Sequence, residues 1–137
     1  MYDTYTRSKS KIYWLIMSTK KTLVIGASDN ETRYSNLAVK KLQAYNHPVI
    51  ALGKKPGHIG KVQIETEKKP FDNIDTVTLY LNPSHQKDYY DYIFSLHPKR
   101  IVFNPGAENE ELVQLAQQKG ISTQEACTLV LLSTGQY

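Results

Sequence analysis

The chain predicts an α/β fold, a mainly parallel five-stranded sheet in the order 3-2-1-4-5 between two layers of helices. Three observations lead there. Short apolar runs of strand length alternate with stretches of helical periodicity, and that alternation implies a parallel sheet covered on both faces. The first run, Thr22-Leu-Val-Ile-Gly-Ala-Ser28, passes straight into a turn of small residues, and a helical pattern follows from Ser35 to Tyr45. The length, 137 residues, suits one domain with a real core.

The remaining elements follow in order. Val49–Leu52 is the second strand, with Pro48 tolerated only at its start. A loop rich in Gly, Lys and Pro runs from Gly53 to Lys61, and Val62–Ile64 is a short strand. Ile74–Leu81 is the strongest strand, with Val77, Leu79 and Leu81 on one face. Ser84 is expected to cap a helix reaching Leu96. Arg100–Phe103 is a strand, Asn104–Gly106 a turn, and Glu108–Lys119 a helix with Leu112, Val113, Leu115 and Ala116 inward, stopped by Gly120. Ile121 begins a weak last strand, and Cys127–Leu132 is a final helical turn or two.

Strand, small-residue turn and helix is how a Rossmann-like three-layer sandwich opens its phosphate site. Small side chains let backbone N–H groups approach the anion, and the helix points its positive end there. The dinucleotide pattern G-x-G-x-x-G is incomplete, since only Gly26 is present, with Ala27, Ser28 and Glu31 where further small residues would stand. In such sheets ligands bind at the carboxyl ends of the strands, near the reversal of strand order. That rule selects Ala27–Tyr34, Gly53–Gly60, Asn82–His85 and Asn104–Ala107. Together they suit one anionic, nucleotide-sized ligand.

Charge separates the chain into residues 1–19, an N-terminal arm or tail, and residues 20–137, a single domain. Arg7, Lys9, Lys11, Lys20 and Lys21 against Asp3 account for the whole net charge of +4. The rest of the chain is balanced, so the basic character reports a tail, and nucleic-acid binding is disfavoured. Met17 reads as an alternative start just before the first strand, and Tyr13, Trp14, Leu15 and Ile16 as a segment able to pack on a partner, a loosely docked terminus being the plainer reading. No run of about 20 apolar residues is present, so no membrane span is expected. No small-residue cleavage site follows Ile12–Met17, which disfavours a signal peptide. The single cysteine, Cys127, excludes an internal disulfide framework and fits a cytoplasmic protein. The four histidines, His47, His58, His85 and His97, are scattered without metal-ligand spacing, so neither a metal site nor a catalytic residue is assigned.

The residues from Lys20 to Cys127 resemble the small bacterial CoA-binding domain proteins, which are related to the nucleotide-binding part of the succinyl-CoA synthetase alpha subunit. The family opens with V-x-G-A-S, then an arginine and a Ser-Asn pair; here these are Val24–Ser28, Arg33 and Ser35-Asn36. Pro48-Val49, Ile59-Gly60, Ile74-Asp75, Val77 and the late Cys127 also match. Gly53-Lys-Lys-Pro-Gly-His-Ile-Gly60 is similar to the synthetase's Pro-, Lys- and Gly-rich loop. The chain departs from the family at Ala51–Gly53, where an Asn-Pro is usual, and at Asn104-Pro105, where a Trp-x-Gln-x-Gly turn is usual.

The resemblance implies a pocket for coenzyme A or an acyl-CoA, lined by Gly26, Ala27, Ser28, Arg33, Asn36, Gly53, Lys54, Lys55, Asn82, Pro83, Asn104 and Gly106. The chemistry of these residues agrees. The N–H groups of Ala27 and Ser28 with the Ser28 hydroxyl suit the diphosphate. The Arg33 guanidinium can donate two hydrogen bonds to a phosphate. Gly53 and Lys54 stand where an NAD site carries an acidic residue for the ribose hydroxyls, so a phosphorylated ribose fits better, with Lys54 and Lys55 meeting its phosphate. CoA satisfies that, and NADP is the second candidate. The leading expectation is non-catalytic binding of CoA. A small NADP- or CoA-dependent oxidoreductase or transferase subunit is the alternative, and an interaction or nucleic-acid-associated protein using the basic, aromatic arm is the third. Exposed edge strands and the arm are compatible with a homodimer.

Overall fold

A computed structural model describes residues 19–137. The reading of the arm, including Tyr13–Ile16, lies outside the described residues. Strands are β1 (Thr22–Ile25), β2 (Val49–Leu52), β3 (His58–Ile59), β4 (Val62–Glu65), β5 (Thr76–Leu79), β6 (Arg100–Phe103) and β7 (Ser122–Glu125). Helices are α1 (Tyr34–Ala44), α2 (Pro83–Gln86), α3 (Tyr90–Ser95), α4 (Glu110–Gln118) and α5 (Thr128–Ser133), with a 3₁₀ turn at Lys87–Tyr89 between α2 and α3.

β1 is buried throughout because it lies at the centre of the sheet, with β2 and β5 parallel on either side. Its side chains alternate between two cores. Leu23 and Ile25 join Val77, Leu79, Ile93, Ile101, Phe103 and Leu112 on the face covered by α3 and α4. Val24 joins Val39, Leu42 and Leu132 on the face covered by α1 and α5. Each such side chain contributes about 1.5–3 kcal/mol when fully buried. The three layers are therefore dictated by the two apolar faces of one short strand and its neighbours.

The sheet has seven strands in the order β3-β4-β2-β1-β5-β6-β7, not five. Six of them follow runs expected as strands, β7 among them at the weak run beginning at Ile121, and β3 is the addition. β3 and β7 are the edges: β7 is polar and held by its backbone ladder, whereas β3 also buries Ile59 in the α1/α5 core. β7 reads Ser-Thr-Gln-Glu and pairs in register with β6 from Arg100↔Ser122 to Phe103↔Glu125. β3 pairs antiparallel with β4 through His58↔Gln63 and Ile59↔Val62. The helix expected to be capped by Ser84 has its cap two residues earlier and is broken. Pro83 takes the first helical position, where its missing N–H costs nothing, so the cap falls on Asn82. Asn82 Oδ1 accepts from the His85 N–H at 3.3 Å and the Ser84 hydroxyl at 2.6 Å.

At the amino end of the sheet, His47 Nδ1 accepts the Lys20 backbone N–H at 2.9 Å, and the Tyr137 ring stands edge-on to the imidazole at 5.0 Å. Arg100 stacks on the other part of that ring, 4.4 Å from its centroid. Partial burial, then the charges of Lys20 and Arg100, push the His47 pKa below its usual 6.5, with Asp75 opposing. A histidine whose folded pKa is depressed binds fewer protons in the native state than in the unfolded one, so stability falls as pH drops below about 6.5. Replacing His47 by Gln keeps an acceptor for Lys20 and should flatten that part of the stability–pH curve, measured by urea titration at several pH values.

Candidate coenzyme-binding site

Strand order reverses between β1 and β5, so a crevice opens where the chain leaves both strands. Gly26 begins the loop after β1 with φ +94°, a backbone region that glycine alone enters freely. A Cβ there would also lie 3.1 Å from the Tyr80 carbonyl carbon. The N–H groups of Gly26 and Ala27 both donate to Leu52 O, each at 3.0 Å. The Ala27 amide is therefore taken by the protein, and a phosphate has the next groups to use. Ser28 Oγ accepts the Asn30 N–H at 3.1 Å, and Asn30 Oδ1 accepts both the N–H and the hydroxyl of Thr32. The loop is thus shaped by its own side chains before any ligand arrives.

Asn36 sits in the first turn of α1, 1% exposed, and its Nδ2 donates to Ser28 O at 2.9 Å. This ties the loop to the helix behind it. The other end of the same amide, Oδ1, is buried with no partner among the described residues. The cap of α1 is Arg33, whose side chain makes no capping bond. Within the described residues the Ser28, Tyr34 and Ser35 N–H groups have no acceptor, as expected for a helix start left open toward an anion.

The second loop is packed against the first. Gly53 is buried at the end of β2, and a Cβ on it would come within 2.3 Å of Ala27 O. Its N–H donates to Glu65 O at 2.9 Å. Four residues on, a Cβ on Gly57 would touch the Asp29 carboxylate at 2.9 Å. Glycines at these positions let the Lys-rich loop and the phosphate-loop candidate share one wall. Lys54, Lys55 and Arg33 remain exposed at that wall, and among the described residues none has an ion-pair or hydrogen-bond partner for its side chain.

The residues expected on the far side divide. Asn82 and Pro83 are exposed at the start of α2, beside the crevice. Gly106 is exposed, and its N–H donates to Glu108 Oε1 at 2.7 Å. Asn104 lies inside. Its Nδ2 donates to Thr78 Oγ1 at 2.6 Å and Leu79 O at 2.9 Å, and its Oδ1 accepts the Thr128 N–H at 2.8 Å. One buried amide therefore ties β5, β6 and the start of α5 together.

Sequence reasoning missed the companion clamp on the other face. Gln86, fully buried, donates to Leu81 O and Ala107 O, both at 2.7 Å, and accepts from Asn109 Nδ2 at 2.8 Å. Asn109 also caps α4 through the Leu112 N–H at 3.3 Å. The cap was readable, three residues before Leu112, whereas nothing in the local pattern marks Gln86. Tyr80 was missed too. Its phenol is buried against Thr128, and burial pushes its pKa well above the usual tyrosine value. No group of three histidine, cysteine or carboxylate side chains suited to a metal occurs among the described residues, and none of their helices is long and apolar enough to cross a membrane.

A mostly parallel sheet with an open helix start and two loops pressed together by glycines makes this a Rossmann-like α/β domain. Residues 20–133 match the model of the CoA binding domain family, and the chain belongs to that family. It is similar to an uncharacterised protein of known crystal structure, with 44% identity and TM-score 0.86 over 88% of this chain and 99% of that one. A hypothetical protein from Pyrococcus horikoshii OT3 shares the fold at 20% identity and TM-score 0.78, over 91% of this chain and 89% of that one. A dinucleotide-forming acetyl-coenzyme A synthetase from Ca. Korarchaeum cryptofilum, in complex with phosphate and ADP, shares it at 16% identity and TM-score 0.65, over 80% of this chain and 26% of that one. No curated protein sequence matches the chain.

Two substitutions test this architecture. Gly53→Ala forces Ala27 away from Leu52 and should cost about 1–3 kcal/mol in urea unfolding. Asn104→Ala takes a partner from the buried Leu79 O and Thr128 N–H, while Thr78 Oγ1 keeps Thr128, and should cost roughly 2–4 kcal/mol.

Proposed function

We propose that the domain binds coenzyme A or an acyl-CoA and performs no chemistry on it. The observation that carries the reading is the group of three exposed, unpaired cations, Arg33, Lys54 and Lys55, beside the open start of α1. Cations left without partners at a crevice suit a ligand that brings several negative charges. CoA brings a diphosphate and a 3′-phosphate. The diphosphate meets the Ser28 and first-turn N–H groups, the Ser28 hydroxyl hydrogen and Arg33. The 3′-phosphate meets Lys54 and Lys55, while Asn82 and Pro83 line the path of the pantetheine arm. The unpartnered Asn36 Oδ1 offers an acceptor for a donor on the ligand.

The non-catalytic part rests on what the loops carry. Of the carboxylates in these loops, Glu108 accepts the Gly106 N–H, and Asp29 lies close against Gly57. The Tyr80 phenol is held protonated by burial. Amides, hydroxyls and cations bind phosphates well and are poor bases.

Native mass spectrometry of gently purified protein, followed by calorimetric titration, tests the proposal. CoA should bind about tenfold or more tightly than dephospho-CoA, the 3′-phosphate contacts being worth roughly 1.5–3 kcal/mol. Lys54→Ala with Lys55→Ala should erase that preference, and Arg33→Ala should weaken both ligands alike. Binding of NADP but not CoA would move the reading to a redox subunit. Turnover of an acyl-CoA by the purified protein would overturn the non-catalytic part.

A further inference from the structure

Among the described residues, four large apolar side chains are exposed: Tyr34 at 71%, Leu37 at 40%, Tyr45 at 45% and Val130 at 54%. They are not scattered. Tyr34, Leu37 and Tyr45 are three and eleven residues apart, which places them on one stripe of α1 and its C-terminal cap. Lys41 falls in the same stripe, and its ammonium is drawn aside to Ser133 Oγ on α5, so its stem lies across the seam between the two helices. α5 packs beside α1 and adds Val130. The outer face of the α1/α5 layer thus exposes four apolar side chains, three of them on one stripe of α1 with Lys41 between Leu37 and Tyr45.

The chain itself supplies a matching segment. Ile12-Tyr-Trp-Leu-Ile-Met17 is the longest uninterrupted apolar run in the sequence, and it ends three residues before Lys20. Lys20 is bonded to His47, which lies two residues beyond Tyr45. The chain therefore enters the domain at the Tyr45 end of the strip. From Tyr34 to Tyr45 the strip is about 16 Å long at the helical rise. Six extended residues reach about 20 Å. Length and point of entry both match. A symmetric interface of two strips would fall well short of the roughly 800 Å² per partner that a stable dimer needs, whereas a tethered segment acts at high effective concentration.

We propose that Ile12–Met17 docks along this strip on its own domain, running from Tyr45 toward Tyr34. The segment buries its apolar residues against Tyr45, Leu37, Val130 and Tyr34 and leaves the basic residues before it toward the start of α1.

Trp14 is the only tryptophan of the chain, so its fluorescence reads the docking directly. In the full chain its emission should be blue-shifted from that of the urea-unfolded protein and shielded from acrylamide severalfold, at every protein concentration. Leu37→Asp, and separately Val130→Asp, should shift the emission to the red and remove the shielding, with the circular dichroism spectrum and melting transition kept. Both positions are exposed, so the fold does not depend on them. Three results would overturn the proposal. Trp14 could be quenched as freely as in the unfolded chain, or stay equally shielded in both variants. Shielding could also disappear on dilution, which would put the segment on a second copy.

Discussion

The close approach of two backbones at the ends of β1 and β2 is the constraint around which the rest is arranged. The Gly26 and Ala27 amides both bond Leu52 O, and Ala27 O comes so near Gly53 that no side chain fits between them. Two parallel neighbours can meet this way only if the loop after each strand turns at once. Gly26 makes that turn for β1 with a positive φ. The turn points the chain at the start of α1, and the Lys-rich loop after β2 is pressed against the same surface through Asp29 and Gly57. A backbone contact a few residues wide thus decides where the helix start, the Ser28 hydroxyl and the cations lie.

The opposite half of the crevice is held by side chains. Asn104 and Gln86 are buried amides, one on each face of the sheet, and each joins three segments. A buried amide is costly when unpaired and specific when fully paired, because its donors and acceptors accept few other arrangements. Both lie beneath the loops that follow β5 and β6. The expected pocket residue Asn104 is therefore a support for the pocket wall. Its hydroxyl partner Thr78 pairs in turn with Thr128 at 2.8 Å, which fixes where α5 begins.

How far the sequence could be read follows from which interactions are local. The buried strands β1, β2, β5 and β6 announce themselves because burial on both faces demands continuous apolar runs. The order 3-2-1-4-5 is legible because right-handed crossovers and a phosphate loop after β1 leave few alternatives. The edge β3 is not legible, since two residues, His58 and Ile59, are too few to show a period, and β7 is legible only weakly, from Ile121, since Ser122–Glu125 pair through backbone groups that every residue carries. Asn82 was missed as a cap because Ser84 also has capping chemistry; the ring of Pro83 decides between them. Within the site, glycines and cations were visible as residue types. The engagement of the Ala27 amide by Leu52 and the burial of Asn104 depend on partners 25 and 24 residues away, and no local pattern reports those.

Pairing also separates binding from chemistry. The polar groups of the loops are mostly consumed in shaping them: Asn30 holds Thr32, Ser28 holds Asn30, Glu108 holds Gly106 and Asn36 holds Ser28. What is left over at the helix start is largely positive or donating, namely amides, one hydroxyl hydrogen, a guanidinium and two ammonium groups. Such a remainder is complementary to phosphate oxygens, while the Asp29 carboxylate and the His58 and His85 imidazoles stand exposed in the same loops. A loop that has to hold a reactive base keeps it poised by burial or by a neighbouring charge. Here the one strongly shifted group near the crevice, the Tyr80 phenol, is shifted in the direction that makes it inert. On the proposed reading, the groups left over after the loops are shaped are the ones that meet the anion.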